Sequence, residues 1–363
     1  MEYVQERVAT FHDYGGARPA APTDRATVVV PLAERDHTSP ATERVLHTLE
    51  VVDPERVLVP LRASASAVAT VTEWLESFDL DLTVLWCTAP AVERLLGDAG
   101  LNGVAGKGRD VWLGLGEASR SQYVAVHDAD AITYDRWDVP KLLYPLSAGY
   151  EFSKGYYARV EDERFYGRLF RLFYTPLVQA LGAESADPFV SYLDSFRYAL
   201  AGEFAMTGDL AREMRAPRDW GLELGTLGEA FEYGGFADTA QVDLGIHEHE
   251  HRSVEGAGGL GEMCAEVAAT LFTTVEERGV APDYASLRER FRDHADRLVE
   301  QYAGDAGFNG FEFDADRERE QVRQYADAIT PPGEDGRLPA WRDAPIEPEQ
   351  VMRRSSEAIE ERR

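Results

Sequence analysis

The sequence predicts an α/β protein with a mostly parallel sheet flanked by helices and a helical C-terminal extension. Three observations carry this. Short β-branched runs alternate with helical patterns through the first 130 residues, which is the rhythm of βαβ units. The 363 residues, 44% of them hydrophobic, suffice for one large α/β body with a helical appendage. No apolar run approaches the roughly 18 residues of a membrane span.

The elements follow in order. Thr27–Pro31 reads as a buried strand, and Ser39-Pro40 supplies an N-cap and a first-turn proline to a helix carrying Val45, Leu46 and Leu49. Val57–Leu61 is a second strand, a helix runs through Val71, Trp74 and Leu75, and Leu82–Cys87 is a third strand. A helix after Pro90 and a strand at Tyr123–Val126 complete the first half. Ligands of such sheets sit beyond the carboxyl ends of the strands. From about residue 150 the rhythm changes. Phe152–Val160 is strand-like, helical stretches span Phe165–Leu181 and Pro188–Tyr198, and Gln241–Ile246 is a further strand. After Gly256 the pattern is helical: Leu260, Met263, Val267 and Leu271 form one apolar stripe, and Leu287, Phe291, Leu298 and Tyr302 another. The segment 331–363, with paired prolines and many charges, is expected to be a peripheral tail. The resulting division is 1–25, 26–150, 151–255, 256–330 and 331–363.

Charge narrows the function. Sixty-five acidic against 37 basic residues give a formal charge of −28, which excludes a general nucleic-acid binder or an anionic-membrane binder. Of the 37 basic residues only Lys107, Lys141 and Lys154 are lysines, and the other 34 are arginines. An acidic, lysine-poor surface suits a salt-loaded cytoplasm, where ions screen self-repulsion. Glu2, Glu6 and Asp13 stand where a signal peptide needs an apolar stretch, so a cytoplasmic location is expected. Cys87 and Cys264 lack metal-motif spacing and are read as buried thiols.

Five groups of residues could carry chemistry. Tyr123–Val126 delivers Asp128 and Asp130 at the carboxyl end of a buried-type strand, and one-residue spacing lets both carboxylates face one divalent ion. The same spacing recurs at Asp79/Asp81 and Asp314/Asp316, so position rather than spacing singles out 128/130. Gly106-Lys107-Gly108 precedes a helix starting near Arg109, and its glycines would let backbone approach an anion. His247-Glu248-His249-Glu250-His251 follows a strand whose continuation would put the three imidazoles on one face, as metal ligands or in a solvated hairpin. Gly167-Arg168 and Arg171, with Lys154 and Arg159 before them, offer an anion site. Glu223, in Trp220-Gly-Leu-Glu-Leu-Gly225, is a carboxylate among apolar residues that requires a partner or a role.

Taken in order, these motifs resemble the retaining glycosyltransferases of GT-A fold, and specifically the glucosyl-3-phosphoglycerate synthase family. The likeness runs through Gly106-Lys107-Gly108, Asp128-Ala129-Asp130, Ser153-Lys154-Gly155-Tyr-Tyr, Gly167-Arg168, Thr175-Pro176-Leu177, Leu200-Ala-Gly-Glu203-Phe-Ala205, Leu222-Glu223-Leu-Gly225 and Gln241–His249. The resemblance implies a nucleotide-sugar-binding half at 26–150 and an acceptor-binding half at 151–255. It implies Mg²⁺ or Mn²⁺ on Asp128, Asp130 and His249. Pro31, Lys107, Asp128, Ala129 and Asp130 would bind the donor. Lys154, Gly167, Arg168, Glu203 and Glu223 would line the acceptor site, and Glu223 and Asp130 would be the catalytic pair. The implied reaction moves a hexose, as from UDP-glucose, to a small anionic acceptor such as 3-phosphoglycerate, for compatible-solute synthesis. The sequence leaves the oligomeric state open, a homodimer being one assembly compatible with it. Phe170 replaces a hydroxyl residue of the family pattern and Thr175 an arginine, and Pro60-Leu-Arg62-Ala-Ser64 replaces an acidic turn. A sugar nucleotidyltransferase and a non-catalytic nucleotide-sugar binder are the other two readings.

Overall fold

A computed structural model describes residues 5–250 and 259–363. Its centre is one sheet. The strands are β1 (Ala9–Phe11), β2 (Ala26–Val29), β3 (Leu32–Ala33), β4 (Arg56–Arg62), β5 (Leu82–Trp86), β6 (Tyr123–Val126), β7 (Phe152–Ala158), the short hairpin pair β8 (Val160–Glu161) and β9 (Arg164–Phe165), β10 (Phe204–Thr207) and β11 (Thr239–Ile246). The sheet order is β1-β11-β7-β10-β6-β2-β4-β3, with β5 also on β4 and the hairpin apart. One sheet thus runs through both 26–150 and 151–255.

Every pairing in this sheet is parallel except those of β10, which runs antiparallel to both β6 and β7. The reversal has a direct consequence. Residue 203, at the amino end of β10, lies at the same rim as the carboxyl ends of β2, β6, β7 and β11. Strands β2, β4 and β6 are buried along nearly their whole length, as expected of apolar runs covered on both faces.

Thirteen helices surround the sheet among the described residues. α1 (Pro40–Val52) starts as expected, with the Ser39 hydroxyl accepting from the Thr42 amide. α2 (Val68–Leu75), α3 (Pro90–Asp98), α4 (Lys107–Ala118) and α5 (Asp138–Ser147) complete the first half. α6 (Thr175–Gly182), α7 (Pro188–Leu193), α8 (Gly208–Glu213) and α9 (Leu222–Tyr233) serve the second, and α10 (Leu260–Glu277), α11 (Tyr284–Asn309) and α12 (Ala315–Tyr325) form the C-terminal layer. The helix expected from Phe165 starts later, since Phe165 pairs with Val160 in the hairpin, and it opens as a π-helical turn over Phe170–Tyr174. Pro176 has no N–H to close the ordinary bond to residue 172, and the wider turn precedes it. The next helix stops at Leu193, five residues before the expected Tyr198.

Segment 331–363 is not the peripheral tail its composition predicts. α13 (Pro348–Glu360) buries Val351, Ser355, Ala358 and Ile359, and the Ser355 hydroxyl accepts from the Trp86 amide at 2.7 Å. Trp341 stacks on Trp112 at 4.1 Å between ring centroids, its indole N–H on the Trp112 carbonyl at 2.7 Å. A few apolar residues at helical spacing outweigh the segment's charges, which stay on its outer face.

Candidate active site

Beyond β6 the chain turns through His127–Ala131. The Asp128 carboxylate packs on Gly202 so closely that a Cβ there would stand 2.1 Å from its Oδ2, so any larger residue at 202 would displace that carboxylate. Thr42 donates its hydroxyl to the Ala129 carbonyl at 3.2 Å. The chain after β11 is stitched to the same turn: His249 bridges Ala131, the Glu250 amide donates to the Asp130 carbonyl at 2.8 Å, and the Ile132 amide donates to the Glu248 carbonyl at 2.8 Å. Although β11 ends at Ile246, its alternation continues, with His247 and His249 buried and Glu248 and Glu250 half-buried. His251 lies outside the described residues.

Lys107, the first residue of α4, places its Nζ 2.6 Å from Asp128 Oδ1 and 2.8 Å from Glu223 Oε1. Burial alone would lower this ammonium's pKa; the two carboxylates outweigh it and hold it above its ordinary value. Asp128 shows the converse, since burial would raise its pKa and Lys107 lowers it. Glu223, at the start of α9, thereby has the partner its apolar sequence context required. The flanking glycines serve a different purpose from the expected one. A Cβ on Gly106 would lie 2.4 Å from the Arg218 carbonyl oxygen and one on Gly108 2.0 Å from that of Pro217. Their backbone approaches the 217–219 segment, and this contact docks Lys107 against the start of α9.

Beside this cluster, ligand atoms of Glu203, His247 and His249 lie within 4.8 Å of one another, all three residues being buried. Among the described residues Nδ1 of each imidazole has no hydrogen-bond partner, and the Glu203 carboxylate, with the Tyr157 hydroxyl beside it, is otherwise unpartnered. Burial, then Asp128, raises the pKa of Glu203. Burial, then Arg159, lowers that of His249 to about 3, so the imidazole is neutral with a lone pair to offer. Unpartnered buried oxygen and nitrogen ligands beside Asp128 and Asp130 fit a divalent cation of the Mg²⁺ or Mn²⁺ kind. The sequence had assigned Glu203 to the acceptor; the structure sets it against the histidines.

On the acceptor side, Lys154 is fully buried in β7. Its ammonium donates to the Ala201 carbonyl at 2.5 Å and lies 5.2 Å from the Phe204 ring centroid, and burial lowers its pKa to about 8. It supports the 201–203 turn from below instead of lining the cleft. Gly167 takes φ +73°, a left-handed conformation, and a Cβ there would lie 3.0 Å from the Tyr198 hydroxyl. Tyr198 packs on Tyr157 (4.9 Å between centroids), which also touches His249 (5.7 Å) and stacks on His247 (4.4 Å). Two tyrosines, absent from the sequence-derived site, thus link Gly167-Arg168 to the histidines. Arg168 Nε donates to Glu318 Oε1 at 3.2 Å. Pro31 is half-buried just past β2, where Glu34 accepts from the Ser64 amide at 2.8 Å and ties the ends of β2 and β4 together.

No family model matches the chain. The glucosyl-3-phosphoglycerate synthase of Methanococcoides burtonii is 32% identical to it, over 95% of this chain and 94% of that one. The enzyme of that name from Persephonella marina is 33% identical, over 83% and 79%. The crystal structure of glucosyl-3-phosphoglycerate synthase from Mycobacterium tuberculosis with Mn²⁺, UDP-glucose and phosphoglyceric acid superposes with a TM-score of 0.57 at 22% identity, over 76% of this chain and 89% of that one. That likeness is one of fold, and it agrees with the GT-A-type sheet expected. Kinship is carried by these two relatives, each above 30% identity over more than three quarters of both chains: the chain belongs to the glucosyl-3-phosphoglycerate synthase family.

Proposed function

We propose that the chain transfers glucose from UDP-glucose to 3-phosphoglycerate, with Mg²⁺ or Mn²⁺ and with retention of anomeric configuration. The observation that carries the proposal is the convergence of Asp128, Lys107, Glu223, Glu203 and His249 at one rim in a member of this family. Asp128, Asp130 and His249 would hold the cation, with Glu203 next to them. When bound, the cation supplies charge neutralisation for the departing diphosphate.

The chain's own residues do the positioning. Lys107 ties Asp128 to Glu223, so the metal end and the sugar end of the cleft are fixed relative to each other. Glu223 orients the acceptor hydroxyl and opposes the positive charge that builds on the anomeric carbon. The bond from that carbon to the diphosphate oxygen breaks, the bond to the acceptor oxygen forms on the same face, and the acceptor's proton leaves on the diphosphate. Gly167 and Arg168 receive the acceptor phosphate. A cytoplasmic product of this kind would serve as a compatible solute, which suits a protein of charge −28.

The test is product analysis in molar KCl with Mg²⁺ or Mn²⁺, pairing UDP- and GDP-glucose with 3-phosphoglycerate and glycerate. An α-linked glucosyl-3-phosphoglycerate and free UDP are expected. Pyrophosphate released from UTP and glucose 1-phosphate would instead establish a nucleotidyltransferase, and calorimetric donor binding without turnover a silent binder. Arg168→Ala should raise the acceptor KM with the donor KM unchanged; an unchanged acceptor KM removes Arg168 from the site.

A further inference from the structure

We propose that Glu318, on α12, is the positioning residue of the acceptor's anion subsite: it holds Arg168 by its Nε edge and leaves the terminal nitrogens of that guanidinium to the acceptor phosphate. The proposal rests on the acceptor-site reading of Arg168. One carboxylate serves two arginines here. Glu318 Oε1 accepts from Arg168 Nε at 3.2 Å and Oε2 from Arg171 Nη2 at 3.3 Å.

The two arginines differ in what else holds them. Arg171 is 6% exposed; its Nε donates to the Tyr166 carbonyl at 3.0 Å and its guanidinium lies 4.6 Å from the Tyr302 ring centroid. It is a fixed post. Glu318, itself 6% exposed, is tied to that post and transmits its position to Arg168, whose side chain is 28% exposed. Arg168 makes no hydrogen bond from Nη1 or Nη2 among the described residues, so its forked end remains available for a bidentate contact with an oxyanion.

Charge favours the same role. Two guanidiniums against one carboxylate leave one positive charge in an otherwise strongly negative protein. The Arg168 rotamer is ordered before the acceptor arrives, so less of that entropy is lost on binding. The polar partner that Arg168 lacks within its own segment comes from the C-terminal layer, 150 positions away in sequence.

Steady-state kinetics on the full chain, with metal and UDP-glucose saturating, tests this. Glu318→Ala should raise the 3-phosphoglycerate KM about tenfold while kcat and the UDP-glucose KM move less than about twofold. Glu318→Gln should give a smaller rise, because its amide oxygen accepts from one arginine at a time. In the double variant with Arg168→Ala the two effects should not add, since Glu318 acts through Arg168. An unchanged or lowered acceptor KM in Glu318→Ala, or additivity in the double variant, overturns the proposal. Should the alanine variant melt early, the near-isosteric glutamine variant decides by the same KM split. If Arg168→Ala alone leaves the acceptor KM unmoved, the acceptor-site reading fails; if it raises that KM and Glu318→Ala does not, only the role of Glu318 fails.

Discussion

Lys107 competes with any cation for Asp128, since its ammonium already occupies Oδ1 at 2.6 Å. Two effects of opposite sign follow for Lys107→Met. Without nucleotide, Mn²⁺ binding measured by calorimetry should tighten, because Asp128 is released. Turnover should fall about 10²–10³-fold, because Asp128 and Glu223 then face each other without the cation between them. Asp130→Ala should abolish metal-dependent turnover and weaken Mn²⁺ binding while leaving the melting curve in high salt intact. At this scale the sequence exposed what local chemistry marks: a rare lysine between glycines, two aspartates closing an apolar strand, an alternating run of histidines. It did not expose Glu203 beside His249, nor Glu318 on Arg168, because those pairings join residues tens to more than a hundred positions apart.

Strand β10 carries the largest difference between expectation and fold. Leu200–Ala205 reads as a motif of small and apolar residues, and nothing local states that residues 204–207 run against their neighbours. Yet that reversed direction brings Glu203 to the ligand rim. The parallel half was legible where bounded apolar runs mark β2, β4, β5 and β6 and where Ser39-Pro40 and Pro90 mark helix starts; β1, β3 and α5 carry no such local mark and went unanticipated. Helix ends in the second half were less so, since a π-turn and a hairpin are tertiary adjustments. The junction of α4 with the 217–219 segment gives a test at this scale. Gly108→Ala would push a methyl to 2.0 Å from a backbone carbonyl oxygen, which cannot step aside cheaply. A loss of about 2–4 kcal/mol in thermal or denaturant unfolding is expected, together with weaker contact between Lys107 and Glu223.

For the whole molecule, net charge decides the response to salt. Ions weaken the many exposed arginine–carboxylate pairs, but each contributes only about 0–1 kcal/mol, whereas the repulsion of a −28 surface acts everywhere. The melting temperature should therefore climb between dilute buffer and molar KCl, and a flat or falling curve would show that the pairs dominate. Trp341→Ala should cost about 3–5 kcal/mol by vacating the space over Trp112 and Gly116, far more than truncation within a loose tail would. That docking also constrains assembly during synthesis. β1 waits for residues 240–242 before it has a neighbour, and the open edge of β5 waits for Ser355. A ribosome making this polypeptide thus emits more than two hundred residues before the first strand can pair, so the sheet closes late and through contacts of long sequence separation, which slow folding.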